Sequence, residues 1–371
     1  MESTPLSYGR QVLDAEDERA VLRALRSDRL TQGPEVARFE SALCAATGAP
    51  EAVCVTNGSA ALLVGLQALG VGAGARVLTS ANTFLASATA AVHLGAEVDF
   101  VDIELESGNL DLDQLEARLA TERVDALVVV HYAGRPCAPA RLLELKQRHG
   151  FLLIEDACHA LGASWSDGQR RWRVGEHSGF DASALSFHPV KHVTSAEGGA
   201  VLFHDAERAR VARQLRDHGV RRGGEGPPWR APMELLGFNW RLSDVHAALG
   251  ASQMGKLEGF LDCRRALAAR YEEALVRFQR PAPDPGHAWH LYPLRVPEGR
   301  DALMRALAER GIGTQVHYEP VPLNPWFAER VRGAWPRAVE HARTTLSLPM
   351  HPALSDAQQE RVIDALDAWN G

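Results

Sequence analysis

Lys191 lies in the stretch Ala184-Leu-Ser-Phe-His-Pro-Val-Lys-His-Val-Thr-Ser-Ala-Glu-Gly-Gly199, between an apolar run ending at Phe187 and a Gly-Gly pair that opens another. A lysine held in a cleft is partly desolvated and loses its proton more easily, and the free amine can attack a carbonyl to form a Schiff base. A hydrated surface lysine in a loop fits the same local pattern, so the chemistry depends on its companions. Two other stretches offer them. Thr56-Asn-Gly-Ser-Ala-Ala-Leu62 joins a strand-like run to a helical pattern. Small residues at such a turn let a phosphate reach backbone N–H groups, and the helix dipole favours the anion. A sharp turn with no ligand uses the same residues. In Ile154-Glu-Asp-Ala-Cys-His-Ala-Leu-Gly162, an apolar strand ends in a Glu-Asp pair, and His159 follows three residues after Asp156. A carboxylate at the C-terminal end of a parallel strand points into the crevice where α/β sheets bind ligands, and it equally serves as a helix N-cap.

The elements that must position these groups show in the hydrophobic pattern. Asp14, with Asp17 three residues on, is an N-cap for a helix whose apolar spacing runs through Val21, Leu22 and Leu25. Short runs rich in Val, Ile, Leu and Phe follow at 51–55, 76–79, 98–101, 124–130 and 151–154, separated by segments of helical periodicity. Such alternation implies a mostly parallel sheet covered on both faces. Residues 242–278 read as long helices. After the loop Arg280-Pro-Ala-Pro-Asp-Pro-Gly286, strand-like runs at 290–296 and 313–318 flank a helix over 301–310 and suggest a smaller α+β unit.

Composition narrows the function class. With 371 residues and 46% hydrophobic content the chain can bury a large core, with about two domains expected. Acidic residues number 47 against 40 basic ones, which argues against a nucleic-acid surface. Five scattered cysteines without a Cys-x-x-Cys spacing indicate neither a disulfide framework nor a zinc site, and read as buried, reduced thiols. No apolar run approaches the length of a membrane span, and Met-Glu-Ser-Thr-Pro does not resemble a signal peptide, so a cytoplasmic protein is expected. The turn at Gly58 matches neither the Gly-x-x-x-x-Gly-Lys-Ser/Thr nor the Gly-x-Gly-x-x-Gly pattern, which disfavours an ATPase or a nicotinamide-dependent oxidoreductase.

An amine, phosphate donors and a carboxylate are what an aldehyde cofactor with a phosphate arm and a pyridine ring requires, the carboxylate keeping the ring nitrogen protonated. The chain resembles the DegT/DnrJ/EryC1/StrS sugar aminotransferases, pyridoxal-phosphate enzymes of fold type I, from about Leu6 to its end. The resemblance rests on Leu30-Thr-Gln-Gly-Pro34, Asn82-Thr-Phe84, Phe100-Val-Asp102, His131-Tyr-Ala-Gly134 and Glu155-Asp-Ala157. It continues through Ser186-Phe-His-Pro-Val-Lys191, Glu197-Gly-Gly199, Asn239-Trp-Arg-Leu-Ser-Asp244 and Gln315-Val-His-Tyr318. It implies an α/β fold with a large cofactor-binding domain over 1–245 and a smaller C-terminal α+β domain over 246–371.

Carried over to this chain, the resemblance makes Lys191 the residue that holds pyridoxal 5'-phosphate (PLP) and moves the proton, and Asp156 the partner of the ring nitrogen. It places His159 near the cofactor's phenolic oxygen and Phe84 against the ring; each could instead be a core residue. Gly58, Ser59, Ala60 and Ser186 supply phosphate donors, and Asn239 reaches the phosphate from a neighbouring subunit, which implies a homodimer. His188, His317 and Tyr318 are candidate substrate contacts or structural residues, and 221–228 resembles a mobile segment over the substrate.

The expected reaction passes the amino group of L-glutamate to a nucleotide-linked keto-sugar. The motifs look most like the branch acting on UDP-linked 4-keto-6-deoxy hexosamines in pseudaminic acid biosynthesis. UDP-4-keto-arabinose, dTDP-keto-sugars and a non-catalytic PLP-binding regulator stand as alternatives.

Overall fold

The computed structural model describes residues 5–222 and 229–369. Seven strands form the main sheet: β1 (Glu51–Val55), β2 (Arg76–Ser80), β3 (Glu97–Val101), β4 (Ala126–Val130), β5 (Leu152–Asp156), β8 (Ala182–Ser186) and β9 (Gly199–Phe203), in the order β1-β9-β8-β5-β4-β2-β3. β9 runs against both neighbours while the other strands share one direction. A short hairpin of β6 (Ser164–Ser166) and β7 (Arg171–Arg173) lies between β5 and β8 in the chain.

The sheet is buried on both faces, which is why its strands read as continuous apolar runs; β4 (Ala-Leu-Val-Val-Val) and β9 (Gly-Ala-Val-Leu-Phe) are buried at every position. Side chains alternate between two cores. Ala52 and Cys54 of β1 pack with Phe39 and Leu43 of α2 (Pro34–Thr47), Leu115 of α5 (Leu112–Leu119) and Leu142 of α6 (Pro139–His149). Val53 and Val55 face the other way, toward α3 (Gly58–Ala68), α4 (Ala86–His93) and α7 (Ala206–Leu215). Eight of the eleven α3 residues are buried, so this helix has no polar face and runs through the interior.

α1 (Ala15–Leu25) begins at Asp14 with the expected capping box. Its inward face is not the expected one. Ala20 and Ala24 pack on Ala248 of α8 (Asp244–Met254), whereas Leu22 and Leu25 are 45% and 51% exposed. α9 (Leu257–Ala274) follows α8. The C-terminal part has an antiparallel pair, β10 (Tyr292–Arg295) and β11 (Thr345–Leu348), with α10 (Arg300–Glu309), α11 (Pro325–Ala328), α12 (Pro336–Thr344) and α13 (Asp356–Asp367). Its core joins Tyr271 of α9, Tyr292, Leu307, Leu346 and Val362, and it takes in Leu6, whose strand-like bridge to Ile312 ties the N-terminal segment here.

Residues 313–318 do not form the expected strand; Gln315 makes one isolated bridge to Ser347, and the segment turns toward the main sheet instead. The cysteines are all free, but Cys263 is exposed and only Cys54 and Cys137 are buried. Among the described residues, no helix is long and apolar enough to cross a membrane.

Candidate active site

The C-terminal ends of β1, β4, β5 and β8 meet at a cavity of about 570 Å³, where Val130, Asp156 and Ser186 end their strands and Lys191 lies on the connection from β8 to β9. This is the crevice that a parallel sheet leaves at its carboxyl edge. The Lys191 connection is folded back on itself: Phe187 N–H donates to Gly198 O, Ser195 N–H to Phe187 O and Lys191 N–H to His188 O. Burial lowers the proton affinity of the Lys191 amine below that of an ordinary lysine, with Cys158 and Asp156 opposing and Arg264 reinforcing the shift.

Asp156 is buried, and both its oxygens are engaged. Ser87 Oγ donates to Oδ2 at 2.6 Å, the Cys158 N–H donates to Oδ1 at 3.2 Å, and Thr83 Oγ1 lies 2.7 Å from Ser87 Oγ. These bonds fix the plane of the carboxylate against the cavity. His159 Nε2 lies 3.0 Å from the Tyr318 hydroxyl, and among the described residues its Nδ1 has no partner. Burial, then the nearby Lys191, holds this imidazole well below the usual histidine range, and burial raises the Tyr318 phenol. At neutral pH the pair is a neutral histidine and a protonated tyrosine.

The turn at Gly58 caps α3. Asn57 Oδ1 accepts from the Ala60 N–H at 2.9 Å, which leaves the N–H groups of Gly58 and Ser59, both on the cavity wall, at the positive end of the helix. Two glycines make room for this turn. A Cβ on Gly58 would come within 2.8 Å of Ser186 Cβ, and one on Gly199 within 2.3 Å of Asn57 O.

Ten of the residues expected from the sequence line this one cavity: Lys191, Asp156, His159, Ser186, Gly58 and Ser59 around its floor, with Phe84, His188, His317 and Tyr318. Phe84 is 55% exposed at the mouth, its ring 6.1 Å from that of Tyr318. His317 is held from behind, Nδ1 by Ser347 Oγ at 2.9 Å and its carbonyl by the Tyr132 hydroxyl at 2.7 Å, and burial lowers it to about 3. Two expected residues are elsewhere. Ala60 is off the wall with its N–H already used by Asn57, and Asn239 is exposed and away from this chain's own cavity. Of the segment 221–228, residues 223–228 lie outside the described residues; Arg221 and Arg222 pair with Glu234 and Asp217.

Sequence reasoning missed Ser87, Tyr8 and His290. Ser87 had a signal, a polar residue four positions after Thr83 in an alanine-rich helix. Tyr8 had none, because tertiary contacts bring it to the wall: the Leu6–Ile312 bridge, the Met350 N–H bond to Tyr8 O and the packing of its ring 5.3 Å from that of His317.

The donor set fits PLP: an amine of lowered proton affinity, an oriented buried carboxylate, and a helix N-terminus kept open by glycines. Comparison with known proteins agrees. The profile of the DegT/DnrJ/EryC1/StrS aminotransferase family matches residues 11–367. The chain belongs to this family. It is 34% identical over 380 residues to the spore coat polysaccharide biosynthesis protein SpsC of Bacillus subtilis (strain 168), covering 97% of this chain and 96% of SpsC. PseC of Helicobacter pylori, an aminotransferase involved in the biosynthesis of pseudoaminic acid, superposes with a TM-score of 0.91 at 28% identity over 98% of both chains. DesV of S. venezuelae superposes with a TM-score of 0.90 at 34% identity over 99% of both chains. Structural neighbours are solved in PLP and PMP forms. The protein is a PLP-dependent sugar aminotransferase.

Proposed function

We propose that this sugar aminotransferase moves the amino group of L-glutamate to UDP-2-acetamido-2,6-dideoxy-β-L-arabino-hexos-4-ulose, giving UDP-4-amino-4,6-dideoxy-N-acetyl-β-L-altrosamine. The observation that carries this reading is the likeness to PseC along nearly the whole of both chains. It is also supported by the apolar cavity mouth at Phe84 and Tyr318, which suits a sugar face.

PLP, when bound, withdraws electrons from the carbon that exchanges the amino group. This chain's residues do the rest. Lys191 Nζ, uncharged more readily than a surface lysine, takes the proton from one carbon and returns it to another in both halves of the exchange. Asp156, held by Ser87 and Cys158, presents a fixed negative charge to the ring nitrogen. Gly58, Ser59 and Ser186 bind the phosphate, Phe84 orients the ring plane, and His159 with Tyr318 borders the phenolic edge. His188 and His317 border the sugar. Asn239, exposed and off its own cavity, serves the phosphate site of a second copy in this reading, and the exposed Leu22, Leu25 and Phe238 supply apolar surface for a homodimer. We place the enzyme in the cytoplasm, where nucleotide sugars are made.

A second reading draws on the 34% identity to SpsC, a polysaccharide biosynthesis protein: another UDP- or dTDP-linked keto-sugar as acceptor. Both are tested by incubating the protein with L-glutamate and a panel of UDP- and dTDP-keto-sugars, then locating the new amine by mass and NMR. An amine at C4 of the UDP-hexosulose is expected; turnover of dTDP-sugars alone rejects the UDP branch. Lys191→Ala is expected to lose the visible absorption of the bound cofactor and to slow transfer by at least about 10²-fold. An unchanged spectrum and rate would remove Lys191 from its role.

A further inference from the structure

A second cavity, of about 400 Å³, opens where residues 105–107 and 132–135 meet the loop at 279–282 and the β10–β11 pair. Sites for small molecules are commonly about 300–1,000 Å³. No residue lines both this cavity and the one at Lys191. Tyr132 stands between them: its side chain belongs to this wall, while its hydroxyl donates to the carbonyl of His317, which lines the other.

The wall carries three guanidinium groups, those of Arg135, Arg280 and Arg295, against one carboxylate, that of Glu106. Two of the three are tied to the protein from outside the cavity. Arg295 Nη2 donates to Glu340 at 2.7 Å, and Arg280 Nη1 donates to the backbone carbonyl of Glu272. Neither Glu340 nor Glu272 lines the cavity, and among the described residues Arg295 Nη1 and Arg280 Nη2 have no partner. Arg135 is freer still. Among the described residues its guanidinium makes no hydrogen bond, and its ionic neighbour is Asp284, with Nε 3.4 Å from Oδ2.

His287, on the same wall, is buried, its ring stacked on that of Trp289 with centroids 4.0 Å apart. Its Nδ1 accepts the Trp289 N–H at 2.8 Å. Burial, then Arg135, lowers this imidazole to about 3, so at neutral pH it is uncharged and its one ring proton is on Nε2. Among the described residues that N–H has no acceptor.

Ion pairing within the protein does not account for this wall. A structural clamp uses its donors on the protein, whereas Arg135 uses none in a hydrogen bond, and an N–H on a buried ring is costly to leave unmet. Several unused donors with an excess of positive charge match an oxyanion, whose oxygens each accept charge-assisted bonds and whose shape suits the planar guanidinium. Pro281, Ala282 and Pro293 add apolar surface for the body that carries it.

We propose that this cavity is a second binding site, for a small organic molecule bearing a phosphate or carboxylate group, held by Arg135, Arg280, Arg295 and the Nε2–H of His287. The site is independent of which sugar the enzyme aminates.

The test is calorimetric titration of the PLP-loaded enzyme, whose cofactor site is already filled, with inorganic phosphate and separately with succinate at constant ionic strength. Saturable binding of at least one is expected. Phosphate alone points to a phosphate-bearing occupant and succinate alone to a carboxylate; either supports the site. Arg135→Gln is expected to weaken that binding by roughly tenfold or more, the scale of one hydrogen bond to a charged group, and to leave the visible absorption of bound PLP unchanged. Arg280→Gln, which alters a partly exposed side chain, is expected to do the same and serves if Arg135→Gln does not fold. Absence of saturable binding of both anions to the unaltered enzyme overturns the proposal. So does binding that both variants retain at full strength, which would put the anion in the Lys191 cavity or on the surface.

Discussion

Asp156 shows how a single residue acquires a role through its neighbours. Its position at the end of β5 was legible in the sequence, because an acidic pair closing an apolar strand has few other places to go. The bonds that aim it were not, since Ser87 comes from a helix 69 residues away and reaches it only in three dimensions. Separating charge from geometry gives a prediction. Asp156→Asn keeps the shape and removes the charge, and it is expected to slow amino transfer by about 10²–10³-fold, the scale of losing one preorganised electrostatic partner. Ser87→Ala keeps the charge but leaves a buried lone pair without its donor, at a cost of about 1–3 kcal/mol, with a smaller rate loss. Single-turnover rates and urea midpoints measure the two effects. A Ser87→Ala enzyme slower than Asp156→Asn would mean that orientation, not charge, is what the carboxylate supplies.

At the scale of elements, the strands that run in one direction were readable because burial on both faces makes them short apolar runs. The reversal of β9 was not, since Gly-Ala-Val-Leu-Phe is equally suited to either direction. Direction follows from the chain returning beside β8 after the Lys191 loop, with Ser186 opposite Gly199. That pairing also sets Gly199 against the turn that opens α3. Residues 313–318 were misread because alternating Gly-Thr-Gln-Val-His-Tyr suits a strand edge, while Tyr318 N–H is drawn instead to Asn82 Oδ1 at 3.0 Å. Gly199 offers the sharper test. A methyl group there would meet the backbone carbonyl of Asn57 at 2.3 Å, which no side-chain rotation relieves. Gly199→Ala is therefore expected to displace the Gly58–Ser59 N–H groups and weaken PLP binding by tenfold or more, about 1.4 kcal/mol. Titration of the cofactor-free protein with PLP reads this directly. An unchanged dissociation constant would show that the phosphate does not depend on this turn.

The whole molecule carries 15 histidines, and many are interior. Composition alone could not reveal this, because a histidine's burial depends on which elements meet over it. Burial lowers His287 and His317 to about 3, and His341 and His351 to about 4, while His159, His192 and His290 are also depressed. Between those values and the unfolded value near 6.5, the unfolded chain binds more protons than the folded one, so stability falls as pH drops. Each such group contributes up to about 1.4 kcal/mol per pH unit across that window. Paired carboxylates such as Glu116, Glu122 and Asp125 are depressed from starting values near 4, so their loss begins only at lower pH and does not overlap the start of the histidine window. The urea midpoint is thus expected to decline steeply from pH 6.5 toward 5, before carboxylate protonation contributes. His351 is one of these groups, so His351→Phe removes its titration and should flatten that decline, at the expense of its contact with the Ser7 backbone. A midpoint that stays level down to pH 5 would mean that the interior admits these protons without unfolding.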